Sequence, residues 1–255
     1  FNLSDYQSEV TKFDNESKEL GNWYVGQKQG EIWGYETYGL FQSEQEIAGA
    51  ANQDKVSGGI KLMPGDIRFV DRNNDGVIDW GDNTVDNPGD KKIIGNSTPR
   101  YHYGINLGAD WKGFDLGIFF QGVGKRDLYL PGTSFRSHYG SEWQVPSAYN
   151  NDYWTEENTG AYFPRARFNG GSAINQAQTR YMVDASYCRL KSLSIGYTLP
   201  KVLTQKASIE KIRIYFTGEN LFTISDTPDG LDPELDNPYT YPMQRSLSVG
   251  LSLTF

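Results

Sequence analysis

The run Asp71-Arg-Asn-Asn-Asp-Gly-Val-Ile-Asp-Trp-Gly-Asp82 sets out oxygen donors at Asp71, Asn73 and Asp75, a turn-forming Gly76, the main-chain carbonyl of Val77, and carboxylates at Asp79 and Asp82. This is the ligand spacing of a calcium loop of the EF-hand type, which wraps about six or seven oxygens around a hard cation. The expected ion is structural Ca2+, or Mg2+ in a tighter shell that keeps more water. Two features depart from the pattern. Asp82 stands where a bidentate Glu is usual, and Gly65 to Val70 reads as extended chain where a helix would precede the loop. Without a helix pair there is nothing for the ion to open, so the expected role is a staple rather than a sensor. The competing reading is a solvated Asn/Asp/Gly turn with no metal.

Aromatic side chains cluster further along. Trp143, Tyr149, Tyr153 and Trp154 are candidate contacts for a substrate or partner, since flat rings stack on sugars and on peptide side chains. The same residues, with Tyr162 and Phe163, can instead pack loop against loop. Arg165 and Arg167 can orient an anion or pair with nearby acids. Glu156 and Glu157 are the most tempting carboxylate pair for glycoside hydrolysis, but adjacent residues rarely converge on one bond. His102 is a lone polar residue with no partner motif, and Cys188 reads as an inert wall residue. No catalytic constellation emerges, and the chain is expected not to be an enzyme.

Composition narrows the class. With 17 Tyr, 13 Phe and 6 Trp against 3 Met, and 28 Gly among 255 residues, strands and turns are favoured over helices. The 24 basic and 32 acidic residues leave a net charge of -8, which gives nucleic acid no electrostatic footprint. One cysteine excludes an internal disulfide, and two histidines leave no Cys/His zinc set. No apolar run reaches the length of a transmembrane helix. The first residue is Phe1, without an initiator Met or signal sequence, which reads as a processed or partial chain.

The elements that position these residues follow a period of two. The final stretch alternates Leu247, Val249, Leu251, Leu253 and Phe255 with Ser246, Ser248, Gly250, Ser252 and Thr254, so one face is apolar and the other small and polar. The same pattern runs through Tyr101 to Trp111, Phe114 to Gln121, Leu193 to Leu199 and Ile212 to Glu219. Upstream, Glu31 to Phe41 is strand-like and aromatic, and Glu44 to Asn52 reads as a short helix capped by Ser43 with Glu46 at the capping-box position. Counted back from Phe255, that makes six full strands. Connections alternate between short (Lys112-Gly113, Pro200 to Lys211) and long (Lys125 to Arg180, Ser225 to Met243). Such sorting is the signature of a membrane barrel, and the few Lys and Glu on the polar face suit a lumen wall.

Taken in order, Val25-Gly-Gln-Lys-Gln-Gly-Glu-Ile-Trp-Gly-Tyr, Pro64-Gly-Asp-Ile-Arg-Phe-Val-Asp-Arg-Asn-Asn-Asp-Gly, Ile94-Gly-Asn-Ser-Thr-Pro-Arg-Tyr, Lys112-Gly-Phe-Asp-Leu, Tyr153-Trp-Thr-Glu-Glu-Asn, Ser186-Tyr-Cys-Arg-Leu-Lys-Ser-Leu-Ser-Ile-Gly-Tyr-Thr-Leu-Pro200 and Gly218-Glu-Asn-Leu-Phe resemble the C-terminal portion of SusC/RagA-like TonB-dependent transporters of the Bacteroidetes outer membrane. The resemblance covers nearly all of the chain. Cys188 falls where that family often has an aliphatic residue. It implies an all-β fold, an antiparallel transmembrane β-barrel segment holding about the last six strands of a 22-stranded barrel, with long extracellular loops. Residues 1–255 would be the C-terminal part of the barrel, with the 71–82 loop inside an extracellular loop and the plug domain before residue 1. The implied function is TonB-dependent import of oligosaccharides or peptides. The implied partners are the rest of the barrel and its plug, a SusD-like lipoprotein, the TonB complex, outer-membrane lipid and a glycan or peptide substrate. The alternative is a secreted, calcium-stapled β-sandwich that binds glycans.

Overall fold

A computed structural model of the chain describes residues 1–129, 152–167, 171–205, 208–228, 231–235 and 240–255. The chain divides into two compact units. One comprises residues 1–7, 99–127 and 184–255, and the other residues 8–98 and 128–183.

The first unit is a seven-stranded antiparallel sheet. Its strands are β1 (Asn2–Ser4), β6 (Arg100–Trp111), β7 (Phe114–Lys125), β10 (Tyr187–Thr198), β11 (Lys211–Glu219) and β13 (Ser246–Thr254) in spatial order, with β12 (Thr223–Ser225) paired to β10 beyond the end of β11. Sequence neighbours pair across short turns. At Lys112-Gly113 both residues have positive φ, 46° and 92°, the backbone of a two-residue hairpin turn that glycine accepts without strain. Register sorts the connections by end. Trp111 stands opposite Phe114, Thr198 opposite Arg213 and Lys211 opposite Thr254, so the short connections and the terminal Phe255 share one end of the sheet. Arg100 opposite Lys125, Ser4 opposite His102, and Tyr187 opposite both Val123 and Ser225 put every long connection at the other end.

The two faces differ as the alternation requires. Leu247, Val249, Leu251 and Leu253 are 62, 79, 59 and 44% exposed, and Leu107, Trp111, Phe114, Leu116, Ile195 and Ile214 on the same face are exposed too. Among the described residues no protein core covers these side chains, which is not how the inner face of a sandwich behaves. A bulge between Leu190 and Ser192 interrupts the register of β10 against β7. Among the described residues, β1 and β13 each leave one edge without a partner strand.

The second unit carries the conventional hydrophobic core. Two small antiparallel pairs, β2 (Glu31–Tyr35) with β5 (Lys91–Asn96) and β3 (Thr37–Leu40) with β4 (Ile67–Phe69), surround Tyr35, Leu40, Val56, Ile67, Phe69, Ile78, Trp154, Phe163 and Ile174. The stretch from Glu31 to Phe41 therefore breaks into two strands at Glu36 and is no sixth strand of the large sheet; that place is taken by β1. The sequence gives no sign of this because β2 and β3 bury residues by local packing and not by a strict period. Helix α1 is shorter than expected, Glu44–Ala48, and is followed by α2 (Asp54–Ser57). Its cap is as expected: the Ser43 hydroxyl accepts from the Glu46 N–H at 3.2 Å, while Glu46 reaches back to the Gln42 N–H at 2.8 Å. A short ribbon of β8 (Asp127–Tyr129) and β9 (Met182–Asp184) stands where the chain passes from one unit to the other and back, and α3 (Lys201–Thr204) lies in the turn before β11.

Candidate functional site

The acidic run lies in the second unit, between β4 and β5. Its first half is a tight turn built from side-chain acceptors. The Asp71 carboxylate accepts from the N–H groups of Asn74 (2.7 Å) and Gly76 (2.9 Å), Asn73 Oδ1 from Asp75 N–H (3.1 Å), and Asp75 Oδ1 from Val77 N–H (2.8 Å). Asp90, fully buried, ties the ends of the turn by accepting from Arg72 N–H at 2.7 Å and Asp79 N–H at 2.8 Å. Val77 and Ile78 are tied to Asn52 next to α2. The sequence pattern contains Asp71, Asn73 and Asp75 but gives no hint of Asp90, which lies outside the twelve residues.

The second half is committed elsewhere. Asp79 Oδ2 takes the Lys55 ammonium at 2.7 Å, and Oδ1 accepts from Gly81 N–H at 2.8 Å. That ammonium, seconded by the Gly81 N–H, holds the Asp79 carboxyl below the usual carboxylate range. Asp82 bonds the Asn87 side-chain amide at 2.8 Å. Among the described residues, no three His, Cys, Asp or Glu side chains gather as a metal-holding group. The donor set of Asp71, Asn73 and Asp75 fits a hard cation, whereas Asp79 and Asp82 do not close the expected shell in this arrangement.

The aromatic candidates separate. Trp143 and Tyr149 lie outside the described residues. Tyr153 is 38% exposed, but Trp154 is only 3% exposed and belongs to the core. Its indole N–H donates to Gln42 at 3.2 Å, and the Arg165 guanidinium lies 4.7 Å above its ring. Gly65, with φ of +93°, passes so close that an added Cβ would stand 2.6 Å from the indole. Trp154 is thus a loop-packing residue rather than a platform presented to a ligand. Arg167 pairs with the buried Asp66 at 2.8 Å. Both arginines are occupied within the unit, as the plainer of the two sequence readings anticipates.

No family model matches the chain. Relatives do. TonB-dependent receptor P3 of Formosa agariphila is 32% identical over 248 residues, which is 90% of this chain and 22% of that protein. TonB-dependent receptor SusC of Bacteroides thetaiotaomicron is 29% identical over 194 residues, 73% of this chain and 17% of that protein. The structure of the RagAB peptide transporter superposes with a TM-score of 0.63 at 23% identity, over 91% of this chain and 24% of that one. The chain belongs to the SusC/RagA-like TonB-dependent receptors. It spans about a quarter or less of the length of these relatives. Receptors of this family reside in the outer membrane and are not enzymes, which disposes of Glu156 and Glu157 as catalysts. Nothing in these likenesses supports the secreted glycan-binding alternative.

Proposed function

We propose that the seven-stranded sheet is a stretch of the wall of a closed transmembrane barrel, and that the receptor it belongs to imports oligosaccharides or peptides through the outer membrane in a TonB-dependent manner. One observation carries the reading: among the described residues the apolar face of the sheet is largely uncovered, from Leu107 and Leu116 to Ile214 and Val249, with Leu190 near the long connections buried. From Tyr103 to Trp111 along β6 this face is about 26 Å long at roughly 3.3 Å per residue. That is close to the apolar band of about 25 Å in outer-membrane barrels. Aromatic rings stand at both ends of the band. Trp111, Phe114 and Tyr197 lie toward the short turns, with the last two rings 4.5 Å apart, and Phe120 and Phe222 lie toward the long connections at 6.2 Å. Rings of this kind favour the two membrane–water interfaces. The open edges of β1 and β13 need neighbouring strands, which a 22-stranded barrel provides in the rest of the receptor.

In this reading the short turns face the periplasm and the long connections leave from the external end of the sheet, available to a SusD-like lipoprotein. The RagAB structures are of a peptide transporter, which supports peptides as one substrate class here. A cation at Asp71, Asn73 and Asp75, completed by the Val77 carbonyl, Asp79 and Asp82 once Lys55 lets go, would act as a staple of the second unit. The test is fractionation of the full-length receptor. It should stay in the membrane pellet after carbonate extraction, and migrate faster unboiled than boiled in SDS gels. Uptake of labelled oligopeptides and oligosaccharides should then be compared in TonB-competent and TonB-deficient cells. Release by carbonate would sink the barrel; uptake of neither class, or uptake indifferent to TonB, would sink the import function.

A further inference from the structure

The last long connection, Ser225 to Met243, is expected to be an external loop, and its residues 231–235 are held against the polar face of the sheet. Arg189 of β10 is the anchor. Its Nη2 meets Asp232 at 2.7 Å, its Nη1 meets Glu234 at 2.7 Å, and its Nε donates to the Thr223 hydroxyl at 2.7 Å. The side chains of Arg189 and Asp232 are each 4% exposed. Glu234 also receives Lys191 Nζ at 2.9 Å and the Tyr187 hydroxyl at 2.8 Å, so three alternate positions of β10, with Arg189 between them, converge on one carboxylate. Asp232 accepts in addition from the N–H groups of Glu234 and Met243, and Arg126 donates to the Pro233 carbonyl at 2.9 Å.

Burying charges is costly unless donors and acceptors are matched throughout, because the desolvation of each ion must be repaid by several short bonds. Here every nitrogen of the Arg189 guanidinium has a partner. The face is fixed by register: Arg189 stands directly opposite Gln121, two residues along from Phe119, on the side of β7 that carries Asp115 and Gly117. We propose that residues 231–235 form an inward ledge, clamped by Arg189, that narrows the passage along the polar face. The proposal rests on the barrel reading for the word passage, and Arg189 is a positioning residue within it.

Hydrogen exchange of the full-length receptor in detergent micelles tests the ledge. The Leu231 amide donates to the Pro228 carbonyl, and the amides of Glu234 and Leu235 donate to Asp232, so a peptide covering 231–235 should be protected in the wild type. Arg189→Met should speed its exchange at least tenfold and leave peptides from β7 unchanged. The double variant Asp232→Asn/Glu234→Gln keeps the wall strands untouched and should do the same, which preserves the test if Arg189→Met fails to fold. Random-coil exchange of this peptide in the wild type, or unchanged protection in the double variant, would overturn the ledge. Heat-modifiable migration of the same samples reports the barrel separately: protection retained without it leaves a clamped sheet but no lumen.

Discussion

Lys55 stands where it decides whether the acidic turn needs a metal. Its ammonium already supplies positive charge to Asp79 at 2.7 Å, so a cation drawing Asp79 into its shell must displace it. Lys55→Met removes that competitor and should tighten Ca2+ binding by the full-length receptor several-fold, read by calorimetry or by calcium-dependent protection of the 71–82 segment from proteolysis. If neither wild type nor variant responds to Ca2+, the turn is a hydrogen-bonded staple held by Asp71 and Asp90 alone. Trp154 gives a second discrimination at this scale. As a core residue it should cost about 3–5 kcal/mol when cut to Ala. A Trp154→Ala receptor whose second unit keeps its melting temperature but loses ligand binding would reverse that assignment.

At the scale of elements, the argument turns on β13. Among the described residues nothing covers Leu247, Val249, Leu251 and Leu253, and in the proposed barrel lipid would cover them. Arg at Leu251 is expected to cost about 2–4 kcal/mol if the position lies near the membrane midplane. Arg at Ser252, on the opposite face, should cost far less. Denaturant unfolding of the two variants in lipid vesicles measures the difference, and equal costs would show that the two faces of β13 meet similar surroundings. The Ser43 cap and the turn at Lys112-Gly113 work differently, since their residues specify them locally whatever lies around.

For the whole molecule, the sorting of connections to opposite ends of the sheet would, in the proposed barrel, set its topology across the membrane. A tag inserted after Asn158, in the second unit, should be labelled on intact cells. One inserted after Gln205, in the turn between β10 and β11, should be labelled only after the outer membrane is permeabilised. The reverse pattern would invert the receptor and remove the long connections from reach of any surface lipoprotein.

The sequence by itself determined the long strands Arg100–Trp111, Phe114–Lys125, Lys211–Glu219 and Ser246–Thr254 and the second half of Tyr187–Thr198, because a strand with one apolar and one polar face alternates in side-chain type. It also determined the Asp71 to Asp75 turn, whose bonds run between residues a few positions apart. What it could not carry were features made by distant partners. Counted straight along β10, Arg189 shares the parity of Leu193 and Ile195 and would fall on the apolar face. The bulge between Leu190 and Ser192 moves it to the polar face. There it meets Asp232 and Glu234 more than forty positions away. The burial of Trp154, the tie from Asp90, the diversion of Asp79 to Lys55 and the pairing of β1 with β6 are of the same kind. Each rests on contacts between segments far apart in the chain, and a period or a spacing read within one segment has no term for them.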